Sequence, residues 1–424
     1  MSKLLEEILS KENINQAIDK VKDNKGKPGV DKMSVEELED YFNKNGEIIF
    51  NQIRIRKYKP LPVRRVEIPK PDGTKRPLGI PSVKDRVIQQ AIVQVLTPMC
   101  EEVFSNYSYG FRPLRRCENA IVKALEYFND GYDWVVDLDL SKFFDNVDQN
   151  ILMILVHDII KDGDTESLIR KFLQSGINIG GNIIDSKKGT PQGGNLSPLL
   201  ANIYLNQFDK ELEARGLHFV RYADDVLICV KSEVAANRVM TSVTNWLKKR
   251  LRVEVNVTKT KVARPTDIKY LGFGFYLRGT KYQPKPHIKS INKFKEKLRI
   301  LTIRSKIGSI KVAITERINK SIIGWINYYR ICDMKVWMIK LDEFLRTRLR
   351  MCVWKQWKLP RTRVRKIRGL GFDEWKAKTW GNTRKGYARC ASSFLHQVLP
   401  NDMFHKKAKL VSLVEYYQLK HINF

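Results

Sequence analysis

Several things are missing from this sequence, and each absence narrows what the chain can be. No apolar stretch approaches the roughly 18 residues that a membrane span needs, so no membrane is expected among its partners. The opening segment, "MSKLLEEILSKENINQAIDK", carries early acids at amphipathic spacing, unlike a signal or transit peptide. Six cysteines (Cys100, Cys117, Cys229, Cys332, Cys352, Cys390) form no CxxC pair, which argues against a zinc site or a disulfide framework and fits a reducing cytoplasm. There is no internal repeat and no low-complexity linker. Acids are scarce: 46 Asp+Glu face 77 Lys+Arg, a formal net charge of +31. An excess that large favours a polyanionic partner, most simply nucleic acid held through its phosphates. A basic membrane-surface or ribosome-associated protein is the blander alternative.

What is present is enough for real cores. Hydrophobic residues make up 43% of 424, room for about three domains. Residues 1–60 read as helical, broken by the loop "NKGKPGVDK" at 24–32. In "RRVEIPKPDGTKRPLGIP" (64–81), Asp72-Gly73 between two β-like arms signals a hairpin, and Asp85 is positioned to cap the helix that follows. "WVVDLDL" (134–140) reads as a buried strand, with helix to about 174. "KKGTPQGGNLSPLLANIYLNQFD" (187–209) is a Gly-rich loop entering an apolar helix with Pro198 in its first turn. A helix near 233–251 and strands near 252–257 and 269–276 complete an α+β unit. From about 285 the pattern is helical. Ile291, Phe294, Leu298 and Leu301 form one stripe; Ile314, Ile318, Ile322 and Ile326 form another. A third helix covers about 335–357, with Leu341, Leu345 and Leu349 inward and Arg346, Arg348 and Arg350 elsewhere on its surface. Residues 361–390 hold ten Lys/Arg against Asp373 and Glu374.

"FVRYADDVLICV" (219–230) reads as two short strands at a tight connection, with Asp224 and Asp225 at its tip. Alone, an acidic pair at a hairpin tip is equally well a solvated turn. Asp137 and Asp139, however, share one face of a buried-looking strand, because side chains alternate with period two. Burying carboxylates without a partner is expensive. A divalent cation would satisfy one of them together with the hairpin pair. Three carboxylates on two neighbouring strands can hold two Mg²⁺ ions about 4 Å apart, a clamp for nucleotidyl transfer. Hard cations prefer oxygen, and the near absence of histidine from these motifs argues against zinc. Lys70 and Arg76 flank the Asp72-Gly73 turn and could grip a triphosphate together. Gln192 and the glycines beside it would let backbone approach a nucleotide closely.

"YADD", preceded by "DLDLSKFF" and "TPQGGNLSP", with "IPKPDGTKRPLGIP" and "YGFRP" (109–113) upstream, resembles the group II intron reverse transcriptases, or maturases. "VTKTKV" (257–262) and "IKYLGFGFY" (268–276) are similar to its later palm motifs, and the match is collinear from about residue 20 to 360. The resemblance implies an α+β right-hand polymerase of fingers, palm with an antiparallel sheet, and three-helix thumb. The implied organisation is an N-terminal extension with a template-contacting loop at 1–60, fingers and palm at 61–284, thumb (maturase or X domain) at 285–360, and a basic nucleic-acid-binding segment at 361–424. It assigns the metals, two Mg²⁺ with Mn²⁺ as a substitute, to Asp139, Asp224 and Asp225. The family's aromatic five residues after the first catalytic Asp selects Asp139 over Asp137 and makes Phe144 the steric gate against ribonucleotides. Lys70, Arg76, Phe144 and Gln192 would bind the dNTP; Lys27, Arg112, Arg361, Arg363, Arg365 and Lys366 would touch nucleic acid. "GWINYYRI" and "MCVWKQWK" interleave aromatics with cations, and Trp325 and Trp354 are expected to be at least partly buried.

The implied partners are group II intron RNA, an RNA template with a DNA or RNA primer, target DNA and dNTPs, in a bacterial cytoplasm. Many relatives end in an HNH endonuclease; with no CxxC pair here, the expected form is the compact, class C-like one. Three alternatives stay open: a maturase acting chiefly as an RNA-binding splicing cofactor, a reverse transcriptase recruited to defence or repair, and an RNA-dependent RNA polymerase.

Overall fold

The structure is a computed structural model, and it describes all residues except 1, 70–72, 74, 192, 423 and 424. By internal contacts the chain divides into two units, Met1–Arg264 and Pro265–Phe424. Both mix helix with a smaller share of strand, as an α+β chain should.

The first unit opens with helices Lys3–Ile8, Lys11–Asp23 and Leu38–Arg54. Strands β1 (Val63–Pro69) and β2 (Lys75–Ile80) form the expected antiparallel hairpin; the Lys70 and Asp72 of its turn lie outside the described residues. The helix Val83–Val103 begins one turn earlier than a cap at Asp85 would require. Ser82 is the cap: its hydroxyl oxygen accepts from the Asp85 amide at 3.2 Å. Asp85 is buried instead, accepting from Tyr58 OH at 2.6 Å, Ser82 Oγ at 2.7 Å and the Leu61 amide at 3.0 Å.

Strand β3 (Trp134–Asp139) is followed by helices Gln149–Ile160 and Gly163–Leu173. The small strands β4 (Ile177–Ile179) and β5 (Asn182–Ile184) then extend the first sheet in the order β2-β1-β4-β5. Helix Ser197–Ala214, with Pro198 at its start, leads into β6 (His218–Tyr222) and β7 (Asp225–Val230). With β8 (Lys261–Ala263) these make a second sheet, β6-β7-β3-β8, antiparallel throughout. Its inner face, with Val136, Leu138, Val226 and Ile228, lies in the main core together with the buried residues of the Ser197–Ala214 helix.

No strand forms at 252–257. Val253 is buried and Val255 makes one bridge to Leu140, but Val257 is exposed. The Asn256 side chain accepts from the Thr258 amide at 3.2 Å, a local turn that ends the extended run. Pairing resumes at β8.

In the second unit, β9 (Phe273–Arg278) and β10 (Lys281–Pro286) form a hairpin, so strand character persists beyond the expected 276. Helix Ile288–Leu301 buries Ile291, Phe294 and Leu298. The isoleucine stripe at Ile314, Ile318, Ile322 and Ile326 is wholly buried. Spacing of four drifts by about 40° per step on an α-helix, and a π-helical segment, Ala313–Ile318, absorbs part of that drift. Helix Lys335–Gln356 turns Leu341, Leu345 and Leu349 inward as expected. Arg350, expected on the surface, is buried as well: its Nε donates to the Leu399 carbonyl at 3.0 Å and its Nη2 to Asn401 Oδ1 at 2.8 Å. It serves the turn before the last helices, whose carbonyls need a donor. Trp354 is buried and Trp325 half-buried, stacked on Phe294 at 4.6 Å. No helix among the described residues is long and apolar enough to cross a membrane.

Candidate active site

Strands β3 and β7 run antiparallel, and their last pair is Asp139 opposite Asp225. Residues directly opposite share a face and bring their β-carbons to about 5 Å. Asp137 lies on that same face, opposite Leu227 on β7 and Lys261 on β8. Asp224 occupies the two-residue turn between Tyr222 and Asp225. Three carboxylates therefore share one face of the sheet, and Asp224 adds a fourth at its end.

Their electrostatics record the crowding. Burial, then Asp224, Asp139 and Asp137, push the Asp225 carboxyl up to about 6, with Lys259 opposing. Burial raises Asp224 first and Asp139 adds to it, while Arg76 and Lys259 pull it down. Asp137 is also raised, to about 6, by burial and then by Asp139, against Lys261. Lys259 Nζ lies 3.3 Å from Asp139 Oδ2, so one cation already partly balances the cluster. Among the described residues no three Asp, Glu, His or Cys side chains close into a ready metal cage. Oxygen donors at raised pKa, held by opposing strand ends, fit a hard divalent ion.

A buried network holds the acidic turn. Arg221, wholly buried, donates from Nε to Asp209 Oδ1 at 2.7 Å and from Nη2 to Oδ2 at 2.5 Å. Its Nη1 donates to Asn202 Oδ1 at 3.0 Å and to the Ala223 carbonyl at 2.9 Å. Asn202 Nδ2 in turn donates to the Gly110 carbonyl at 2.8 Å. Ala223 sits at φ +57°, in the left-handed region. Gly110 packs so closely that a β-carbon there would overlap the Ala223 backbone. The glycine of "YGFRP" thus supports the underside of the turn.

The expected site residues fall into three groups. Asp139, Asp224, Asp225 and Arg76 come together, Arg76 near enough to lower the Asp224 pKa. Phe144 is half-buried and lines a cleft of about 370 Å³ with Arg65, Leu78, Lys142 and Lys188. Its carbonyl accepts from the Thr190 amide at 2.7 Å, and Gly189, at φ +79°, leaves no room for a β-carbon against the 144–145 carbonyls. The "GTPQGG" loop is in this way tied to Phe144. Lys70 and Gln192 lie outside the described residues.

One expected nucleic-acid contact, Arg112, is corrected. Arg112 is buried, donating to Glu101 at 2.8 Å and to the Ser108 carbonyl at 3.0 Å, so it braces the loop before the Cys117–Asn129 helix. Arg363 is half-buried, its guanidinium 4.4 Å from the Trp354 ring and its Nε on the Trp357 carbonyl at 2.9 Å. Lys27, Arg361, Arg365 and Lys366 are exposed. The reading of residue types also passed over Lys259, Asp209, Asn202 and Arg221. The available signal was a cation, Arg221, inside the buried run "FVRYADD".

Residues 68–275 match the reverse transcriptase (RNA-dependent DNA polymerase) family, and residues 291–370 match the group II intron maturase-specific domain. The chain is similar to protein YkfC of Escherichia coli (strain K12), 32% identical over 278 residues, 57% of this chain and 73% of YkfC. The chain belongs to the group II intron reverse transcriptases/maturases. It is also similar to the group II intron-encoded protein LtrA of Lactococcus lactis subsp. cremoris, 45% identical over 154 residues, 36% of this chain but only 26% of LtrA. The reverse transcriptase domain of such a maturase is a nucleotidyltransferase dependent on divalent metal, and the acidic end of the β6-β7-β3-β8 sheet falls within it.

Proposed function

We propose that this protein copies RNA into DNA and binds group II intron RNA to promote its splicing and mobility. The observation that carries the reading is the facing pair Asp139 and Asp225, with Asp224 in the intervening turn and Arg76 within electrostatic reach. The organisation that goes with it is a template-contacting extension at 1–60, fingers and palm at 61–284, thumb at 285–360 and a nucleic-acid-binding segment at 361–424. Lys27, Arg361, Arg365 and Lys366, all exposed, are the proposed contacts to template, primer, target DNA or intron RNA.

Asp139, Asp224 and Asp225 would hold two Mg²⁺, with Mn²⁺ as substitute. When bound, these ions would lower the pKa of the primer 3′-hydroxyl and neutralise the leaving pyrophosphate. The protein's own part is placement. The O3′–Pα bond forms as the Pα–pyrophosphate bond breaks, in line, and the walls of the cleft fix that geometry. Arg76, with Lys70 and Gln192, grips the triphosphate and nascent pair; Arg forks onto phosphate oxygens. Phe144 packs where a 2′-hydroxyl would sit.

The test is primer extension on an RNA template with dNTPs or rNTPs, comparing wild type with Phe144→Ala. DNA synthesis by the wild type, with ribonucleotide use rising in the variant, supports the reading. Efficient rNTP extension by the wild type would reject the gate and favour an RNA polymerase.

A further inference from the structure

The second unit carries a cavity of about 630 Å³ between the end of the Ile288–Leu301 helix, the Lys335–Gln356 helix and the start of the Tyr387–Ser392 helix. Its polar lining is strongly one-sided: Arg299, Arg304, Arg348 and Lys355 against Glu296. Glu296 pairs with Arg299 at 3.4 Å. Among the described residues neither Arg304 nor Lys355 has a carboxylate partner.

The cations are held rather than loose. The Arg304 guanidinium lies 4.3 Å from the centre of the Tyr387 ring, and Lys355 Nζ lies 5.8 Å from it. Cation–π contact fixes both heads on one aromatic platform before any ligand arrives. Arg348 sits behind them. Its Nε donates to Thr302 Oγ1 at 3.1 Å and its Nη2 to the Thr302 carbonyl at 2.9 Å, covering the C-terminal carbonyls of the Ile288–Leu301 helix. A helix C-terminus repels anions, so this cover removes what would otherwise oppose one. Burial first pushes the Arg348 pKa down, and Arg299 and Arg304 add to it against Cys352 and Glu296. Such a charge excess is held apart at a cost that an anion would relieve.

We infer that this cavity is a preorganised site for a backbone phosphate of single-stranded RNA, bound by Arg304 and Lys355 on the Tyr387 platform, with Arg348 as a positioning residue. The inference rests on the RNA-binding part of the proposed function and names where on the second unit one such contact is made. Nucleic acid fits the cavity's chemistry better than a small acidic metabolite, because three cations converge around an open, partly apolar wall that includes Ile300 and Ile303.

The experiment is equilibrium binding of a short unstructured RNA, and of a DNA of the same sequence, to the full chain across a salt series. Wild type is compared with Arg304→Gln/Lys355→Gln, Tyr387→Ala, Tyr387→Phe and, as a control cation on the last helix, Lys420→Gln. The double variant should lose about tenfold in RNA affinity and flatten the salt slope by about 0.7 per cation removed. Tyr387→Ala should lose affinity while Tyr387→Phe keeps it, since the ring and not the hydroxyl holds the cations. Arg304 and Lys355 are solvent-accessible, so the double variant decides the matter even if Tyr387→Ala does not fold. RNA affinity and slope unchanged in the double variant, or a loss no larger than that of Lys420→Gln, would overturn the site. So would a loss confined to DNA. Primer extension by the wild type is measured alongside: a protein that binds RNA through this cavity but makes no DNA removes the polymerase reading and leaves the site standing.

Discussion

Arg221 Nη1 donates to the carbonyl of Ala223 at 2.9 Å, from a side chain that is wholly buried and already bidentate on Asp209. A buried guanidinium bonded to the backbone of the acidic turn fixes where Asp224 begins. Removing one partner of a buried ion pair costs about 3–5 kcal/mol, because the other charge is left behind. Arg221→Ala is therefore expected to unfold at markedly lower temperature. Asn202→Ala is the gentler probe: it deletes the bonds to Arg221 and to the Gly110 carbonyl without stranding a charge. Steady-state primer extension should show kcat falling about tenfold with the dNTP KM little changed, the pattern of a misplaced catalytic group. A pure stability loss would leave kcat per folded molecule intact.

The same turn sets limits on size. Gly110→Ala forces a β-carbon into the Ala223 backbone and is expected to cost about 1–3 kcal/mol together with most of the activity. Ala223, at φ +57°, tolerates glycine but not a β-branched residue. Thermal melts should rank Ala223→Gly near wild type and Ala223→Val well below it.

Crowded carboxylates make the metal-free protein less stable than it could be. Asp139, Asp224 and Asp137 all raise the Asp225 pKa, although Asp225 is exposed enough for solvent to screen much of the repulsion. In EDTA near neutral pH, Asp225→Asn should raise Tm by about 1–3 °C. Mg²⁺ with a dNTP should raise the wild-type Tm by mass action and leave the variant's Tm nearly unmoved. Equal Mg²⁺ responses would remove Asp225 from the metal site.

His218 opens β6, the strand that leads to the turn, and stacks on Tyr132 at 3.9 Å with Tyr127 edge-on. Burial first, then Lys123 and Lys231, hold its imidazole below the ordinary value, with Asp130 opposing. The unfolded chain therefore binds this proton more readily than the folded one. Its contribution is whole above the unfolded pKa of about 6.5 and is lost as pH falls through the window below it. His218→Phe keeps the stack and should shrink the Tm difference between about pH 7.5 and 5.5.

The acidic pair at a hairpin tip and the shared face of Asp137 and Asp139 are local patterns that the sequence shows, but the choice of Asp139 over Asp137 came only with the family resemblance. Phe144 followed from its spacing to Asp139 once the family resemblance was seen. Arg221, Asp209 and Asn202 could not be found that way. Their partnership joins the Ser197–Ala214 helix to a strand and its turn, and no local pattern names Asp209 or Asn202 as the partner of Arg221. Arg112 is corrected for the opposite reason: a basic residue in a basic chain looks available until the carbonyls and carboxylate it serves are in view. The strand expected at 252–257 failed on Asn256, whose side chain competes with ladder pairing.

The most direct measurement is single-turnover primer extension on an RNA template with Mg²⁺ and dNTPs, comparing wild type with Asp224→Asn at matched folded concentration. Full-length DNA from the wild type and a rate loss of about 10²-fold or more in the variant are expected if the acidic turn carries nucleotidyl transfer. Extension by a folded Asp224→Asn protein at the wild-type rate would contradict it.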